Sequence, residues 1–321
     1  MGRTEEGKKD MREFPCVAIL GPTGVGKTWF AIRLAQEIKG EIINFDSVQF
    51  YKYLDIGSAK PTPAERRQAP HHLLDILYPD ELFDAADFVE RASSLAMRIL
   101  KRGRVPVFVG GTGFYLRVLF HGLSPAPKAS PALRRWLKTL EKRFGSGYLH
   151  RCLSRLDPVV AKRLPPGDIY RIIRALEIFI LTGRPMSDFF SRTPPRPVLT
   201  REVVKILLLR PRRELYERID KRVDMMISGG LIEEVRSILN MGYSPRLKPL
   251  QSLGYRQIVR YLNGELDLAR AIHEIKRDTR HYAKRQLTWF KKERCFIPVN
   301  PDRLKGETRL WHAVMGNDIL L

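Results

Sequence analysis

The chain has 321 residues, 44% of them hydrophobic, enough for one large domain or for a core with a smaller domain attached. Its 57 Lys and Arg against 35 Asp and Glu leave a net charge of +22, a balance that calls for a polyanionic partner. No apolar run approaches a membrane span, and the polar start is unlike a secretory signal; Cys16, Cys152 and Cys295 are too few and too scattered for a disulfide framework or a zinc site, so a reducing cytoplasm is the expected setting.

In chain order, residues 1–14 read as a disordered tail. The apolar run 16–20 predicts a strand, followed at once by Gly21, Pro22, Thr23, Gly24, Val25, Gly26, Lys27 and Thr28. This is the G-x-x-x-x-G-K-[ST] phosphate loop, whose glycines let successive N–H groups converge on phosphate oxygens. Lys27 adds positive charge, and the Thr28 hydroxyl is suited to Mg²⁺, the one cofactor expected. A helix over 29–39 should bury Phe30, Ile32, Leu34, Ala35 and Ile38, stop at Gly40 and aim its N-terminal dipole at the anion. Strands are expected at 41–45 and 105–109, separated by a helix over 85–102 that Asp84 caps. Strand alternating with helix predicts an α/β fold, a parallel P-loop sheet flanked by helices.

From about Ser124 the texture becomes helical and basic, and it stays so to a proline-rich break at 193–197; the strand-like run 203–209 then rejoins the sheet. The expected organisation is a catalytic core at 15–124 and 200–300, an inserted α-helical domain at 125–199 and a C-terminal tail at 301–321. Two stretches carry much of the positive charge. Residues 133–174 hold eleven Lys or Arg against three acids, and 271–294 hold eight against three, a pattern that favours nucleic acid in a phosphate-loop protein.

Strand 41–45 delivers Asp46, with Ser47 and Gln49 just after it, to the carboxyl edge of the sheet. Strand 105–109 ends in Gly110-Gly111-Thr112 with no acid, where a kinase or ATPase usually places a magnesium-holding Asp. That omission argues against ordinary nucleotide hydrolysis and leaves Asp46 as the best-placed carboxylate for proton transfer. His71 and His72 are adjacent, which suits a hydrogen-bonded structural role better than shared metal ligation. Trp289 and Phe290, at a helix end, read as core aromatics.

Several motifs follow in order: Asp46-Ser47-Val48-Gln49-Phe50-Tyr51, Leu54-Asp55-Ile56-Gly57-Ser58-Ala59-Lys60-Pro61, His71-His72-Leu73-Leu74-Asp75 and Gly110-Gly111-Thr112-Gly113-Phe114-Tyr115-Leu116. Arg171-Ile172-Ile173-Arg174-Ala175-Leu176-Glu177, Leu253-Gly254-Tyr255-Arg256-Gln257 and Ala283-Lys284-Arg285-Gln286-Leu287-Thr288-Trp289 complete the set. From about Pro15 to Val299 the sequence resembles the bacterial tRNA dimethylallyltransferases, also called tRNA isopentenyltransferases. The resemblance implies transfer of the dimethylallyl group of dimethylallyl diphosphate to the exocyclic amine of the adenosine 3′ of the anticodon, with diphosphate released. It implies Asp46 as base, Thr112 and Arg222 at the reaction centre, and the phosphate loop on an isoprenoid diphosphate rather than ATP. Contacts to the tRNA anticodon stem-loop are implied for Asp46, Ser47, Val48, Gln49 and Thr112, for Tyr170, Arg171, Ile172, Ile173 and Arg174, and for Leu250, Gln251, Ser252, Leu253, Gly254 and Tyr255. Arg280, Lys284 and Arg285, on one predicted helical face, should grip phosphates.

Two departures from the family pattern stand out: Ser58 replaces Thr, and Phe50 replaces a small aliphatic residue, which is expected to reshape the pocket beside the reacting base. Competing readings are an adenylate isopentenyltransferase, a small-metabolite kinase and a tRNA-binding protein without catalysis. A monomer is expected, with no membrane association.

Overall fold

The computed structural model describes residues 16–123, 126–192, 203–291, 296–304, 306–307 and 310–315. The tail expected over 1–14 and the proline-rich break at 193–197 lie outside them. The chain divides into two compact units, Met1–Arg117 with Leu199–Leu321, and Val118–Val198.

The first unit contains β1 (Cys16–Leu20), α1 (Lys27–Glu37), β2 (Gly40–Asn44), α2 (Pro63–Gln68), β3 (His71–His72), α3 (Ala85–Lys101), β4 (Val105–Gly110) and the start of α4 (Gly113–His121). The second holds the rest of α4, then α5 (Pro131–Phe144), α6 (Tyr148–Leu156), α7 (Pro158–Ala161), α8 (Ile169–Thr182) and α9 (Met186–Arg192). The chain returns to the first unit with β5 (Val203–Leu208), α10 (Arg212–Ser228), α11 (Leu231–Asn240), α12 (Tyr255–Leu262), α13 (Leu268–Phe290), β6 (Ile297–Val299) and α14 (Leu310–Met315).

The six strands form one parallel sheet in the order β3-β2-β4-β1-β5-β6. β1 and β2 are buried along their whole length, as strands covered on both faces must be, which is why β1 reads as a continuous apolar run. Glu41 and Asn44 are the polar exceptions in β2. Glu41 is 4% exposed and answered by His72 Nε2 and Arg102 Nη2, each at 2.7 Å. His71 Nδ1 lies 2.7 Å from the Ala69 carbonyl, so both histidines have structural partners.

Helix α1 begins at Lys27, two residues before the expected start, because Gly26 at φ 106° turns the phosphate loop directly into it. The chain leaves the helix through Lys39 at φ 51°, and Gly40 opens β2 instead of capping α1. A Cβ on Gly40 would come within 2.7 Å of Val107 on the neighbouring strand, so close strand packing selects that glycine. Asp84 caps α3 as expected, accepting from Ala86 and Asp87 in a reciprocal capping box.

Residues 301–321 were expected as a tail, yet Pro301–Leu304 forms a 3-10 turn and α14 follows it. Leu304, Leu310 and Val314 are almost fully buried in the apolar cluster that also holds Phe30, Leu34 and Ile206. The helical unit has a core of its own, built from Leu137, Leu149, Leu153, Ile172, Ile173 and Leu176. Fully buried Glu177 there binds Arg134 Nε and Nη2 at 2.9 and 2.8 Å and Arg174 Nη1 at 2.5 Å, so two of the unit's cations share one internal carboxylate. This unit begins at Val118 rather than at 125. No helix among the described residues is long and apolar enough to cross a membrane.

Candidate active site

The phosphate loop leaves β1 with its carbonyl groups already engaged. Lys27 Nζ donates to Gly21 O and Pro22 O at 3.0 Å each, Arg218 Nε to Gly24 O at 3.0 Å, and Arg210 Nε to Val25 O at 2.9 Å. Carbonyls bound to cations in this way free the loop's N–H groups for an anion. Two of its N–H groups are also engaged: Val25 N donates to Pro22 O at 3.4 Å and Thr23 N to Gln286 Oε1 at 2.9 Å, while Gln286 Nε2 donates to Gly111 O at 2.9 Å. Gln286, buried on α13, thereby ties the phosphate loop to the exit of β4. Arg210, Arg218 and Gln286 were not identified from sequence as site residues. Gln286 stood in a quoted motif, but a glutamine in a helix carries no signal of what it clamps.

A cavity of about 880 Å³ opens over the loop, lined among others by Gly24, Gly26, Lys27, Thr28, Asp46, Arg218, Lys221, Arg222 and Tyr282. Burial is the main cause that lowers the Lys27 ammonium to about 8; nearby Asp46 opposes the shift and Arg222 adds to it. Burial likewise lowers the pKa of Arg222, again against the pull of Asp46. Among the described residues Arg222 closes no ion pair, so a half-buried guanidinium faces a cavity beside a phosphate loop. Such a group awaits an anion.

A second cavity of about 350 Å³ is lined by Ser47, Val48, Gly57, Ser252, Leu253, Gly254, Arg256 and Arg285, among others. Thr23, Asp46, Ser58, Arg222 and Tyr282 border both cavities, so Asp46 stands where they meet. Its carboxylate is oriented by the Val48 N–H, which donates to Oδ1 at 3.0 Å, and its backbone N–H donates to Asn44 Oδ1 at 3.0 Å. Tyr282 went unremarked in the sequence. Burial first, and then the Asp46 charge, push its phenol well up, which keeps it neutral.

The segment from Leu54 to Pro61 is a scaffold. Lys60, 7% exposed, binds Asp55 at 2.5 Å, Asp75 at 2.6 Å and Tyr51 O at 2.8 Å. The N–H groups of Asp55, Ile56 and Gly57 donate to Glu234, and that of Ser58 to the Tyr255 hydroxyl, which itself donates to Glu234 at 2.7 Å. Four successive amides thus close on one internal anion and its phenol partner. Gln49 Nε2 donates to Ser58 O and Ala59 O at 3.0 and 3.1 Å, which turns its carbonyl end away from them. Ser58 Oγ donates to Leu54 O at 2.6 Å, the bond a hydroxyl at this position supplies.

The family model described as IPP transferase matches residues 49–293. The chain belongs to that family. It is 49% identical over 279 residues to the tRNA dimethylallyltransferase of Syntrophobacter fumaroxidans, covering 87% of this chain and 81% of that one. It resembles the crystal structure of full-length tRNA isopentenylpyrophosphate transferase from Bacillus halodurans at 36% identity and a TM-score of 0.67, covering 94% and 97% of the two chains. A eukaryotic dimethylallyltransferase solved acting on tRNA matches at 26% identity and a TM-score of 0.78, covering 94% of this chain and 78% of that one.

The remaining expected site residues divide by exposure. Thr112 accepts from Tyr115 N through its carbonyl at the start of α4 and lines neither cavity. Ile172 and Ile173 are buried in the helical core and Arg174 is engaged by Glu177, which leaves exposed Tyr170 and Arg171 as the outward members of that stretch. Leu250 and Tyr255 are fully buried, whereas Ser252, Leu253 and Gly254 line the second cavity. Gln251 is exposed and donates to Pro245 O at 2.7 Å.

Arg280 does not present a free charge, because its Nη1 binds both oxygens of Asp220 at 2.7 and 2.8 Å. Lys284 and Arg285 are exposed and frame a shallow concavity with His281, Thr288 and Trp289. Trp289 is half-buried against Gly113, where a Cβ would lie 2.4 Å from its ring, and Phe290 is core. Phe50 also departs from expectation. It is fully buried with its ring centroid 4.9 Å from Phe83 and 5.9 Å from Tyr115, so it fills an aromatic cluster and does not shape either cavity.

Proposed function

We propose that the chain transfers the dimethylallyl group from dimethylallyl diphosphate to the exocyclic amine of the adenosine 3′ of a tRNA anticodon, releasing diphosphate. The observation that carries this reading is the meeting of two cavities at Asp46, one roofed by phosphate-binding groups and the other reaching the Ser47–Val48 and Ser252–Gly254 backbone. The names of the relatives support the same activity.

In the first cavity the phosphate-loop N–H groups, Lys27, Arg218 and Arg222 hold the diphosphate and stabilise the charge that builds on it as the C–O bond breaks. The Thr28 hydroxyl, at the N-terminal end of α1 and in the lining of the same cavity, would hold a Mg²⁺ beside the diphosphate. When bound, that ion adds charge neutralisation at the leaving group. In the second cavity the target adenine must sit unstacked from its neighbours to bring its amine to Asp46. The adenine amine is a weak nucleophile because its lone pair is delocalised into the ring. Asp46 takes its proton as the nitrogen–carbon bond forms, with the Val48 N–H holding the carboxylate in place.

Exposed Lys284 and Arg285 supply the electrostatic grip on RNA, whereas Arg171, although exposed, is paired with Asp168 at 2.6 Å. The residues that line both cavities come from one chain, which supports action as a monomer. Cys16 and Cys152 form no disulfide among the described residues, which with an RNA substrate supports a cytoplasmic setting.

The test offers labelled dimethylallyl diphosphate and Mg²⁺ with unmodified tRNA or with AMP. Label in tRNA alone is the expected result; label in AMP alone would replace the reading with a free-nucleotide enzyme. Asp46→Asn should lower kcat at least 100-fold while tRNA affinity stays within about twofold. A variant with near-normal turnover would remove Asp46 as the base.

A further inference from the structure

The transferred carbon has to pass between the two cavities, and the five residues that border both define what it meets there. Thr23 belongs to the phosphate loop, Arg222 is cationic, Asp46 takes the amine proton and Ser58 is held by the scaffold; only Tyr282 offers an aromatic surface. An allylic displacement loosens the carbon–oxygen bond ahead of the new bond, so the dimethylallyl group gains positive charge in the transition state. Lys27, Arg218 and Arg222 suit the departing diphosphate but oppose that positive charge. A π face beside the dimethylallyl carbons counters it without forming a bond of its own.

We infer that Tyr282 is a catalytic residue whose ring stabilises the dimethylallyl cation character as the group moves from diphosphate to adenine. The electron pair of the amine forms the new bond to the first prenyl carbon. The carbon–oxygen pair departs with diphosphate, and the amine proton goes to Asp46. Tyr282 exchanges no atoms or electrons and acts by position. Two features of the fold hold it there. Its residue sits one helical turn before Gln286, which α13 fixes to both Thr23 and Gly111, and the Arg285 guanidinium lies over one face of its ring, 5.8 Å from the centroid. The half-buried phenol next to a carboxylate stays neutral, so the other face of the ring meets the carbocation uncharged. The inference rests on the prenyl-transfer reading above.

The test replaces Tyr282 by phenylalanine and by mono-, di- and trifluorinated phenylalanines, which keep the ring's shape while draining its face of electron density, and separately by leucine. Single-turnover rates with dimethylallyl diphosphate and tRNA are measured for each. The Tyr282→Phe variant should stay within about threefold of the parent. The fluorinated series should fall stepwise, and Tyr282→Leu should lose on the order of 30-fold in rate with little change in diphosphate affinity. A flat fluorination series would overturn the inference, as would a phenylalanine variant as slow as the leucine one, which would assign the effect to the hydroxyl. The parent protein separates the two readings. If it prenylates tRNA and the series is flat, only the role of Tyr282 falls; if the parent itself transfers nothing, the prenyl-transfer reading falls.

Discussion

Replacing Gln286 by leucine keeps the size of the side chain and removes both of its polar ends. Thr23 N–H then loses an acceptor at 2.9 Å and Gly111 O loses a donor at 2.9 Å. Gln286 is only 6% exposed, so water does not take over either bond. A buried polar group left without a partner costs about 1–3 kcal/mol, so two cost about 2–6 kcal/mol. Burial of the leucine's apolar atoms returns about 1 kcal/mol. The net loss should centre near 3 kcal/mol, a large share of a typical stability of about 5–15 kcal/mol.

Urea unfolding followed by tryptophan fluorescence measures it, with one precaution. Trp136 lies in the helical unit and Trp29, Trp289 and Trp311 in the sheet unit, so a Trp136→Phe background reports on the sheet unit alone. With a slope of about 3 kcal/mol per molar urea, the midpoint should fall by about 1 M. The KM for dimethylallyl diphosphate should rise about tenfold, since the phosphate loop loses its tie to β4. Gln286→Glu keeps the acceptor for Thr23 but sets a carboxylate against the Gly111 carbonyl, so it should be no more stable than the leucine variant. A Gln286→Leu midpoint within about 0.2 M of the parent, about 0.6 kcal/mol by the same slope, would refute the clamp.

The Lys27 ammonium, lowered to about 8, makes diphosphate binding pH-dependent. Bound diphosphate favours the charged form, so binding should take up a proton above pH 8 and almost none below pH 7; calorimetry with inorganic diphosphate in buffers of different ionisation heat reads this directly, and no proton uptake at pH 9 would contradict it. The same shift affects stability. Because the unfolded chain binds more protons between about 8 and the ordinary 10.5, Lys27 contributes rising stability as pH climbs through that window, and a Lys27→Met variant should lack that slope. On the RNA-binding face, Lys284→Ala and Arg285→Ala should each reduce the salt slope of tRNA binding by about one, whereas Arg280→Ala should change it less because Asp220 already neutralises that charge. Equal slopes for all three variants would show that the Arg280–Asp220 pair opens on RNA.

The phosphate loop, Asp46 and the central strands could be read from the sequence because each is determined locally. A glycine-rich turn between an apolar run and a helical pattern has few other uses, and strands buried on both faces announce themselves as unbroken hydrophobic runs. The helical character of the insertion was equally visible in its periodicity, and its core bears this out. The two-residue strand β3 and the three-residue strand β6 were too short to rise above their surroundings. The burial of Leu304, Leu310 and Val314 depends on α1 and the sheet being there to receive them.

What the sequence determined by itself was the family, the anion-binding turn and the acid at the neighbouring strand's end. Which cations remain available was decided only by the tertiary structure. Among the described residues Arg222 closes no ion pair, while Arg280, Arg134 and Arg174, equally basic in the sequence, are engaged, the first by Asp220 and the other two by the one carboxylate of Glu177. The same holds for Phe50, which turns into the core, and for Tyr282 and Gln286, which reach Asp46 and the phosphate loop from more than two hundred residues away. The physical reason is that a side chain's charge and size are properties of its residue, but its partner, its solvent exposure and its distance from the reacting atoms are set by elements that meet only after the chain has folded.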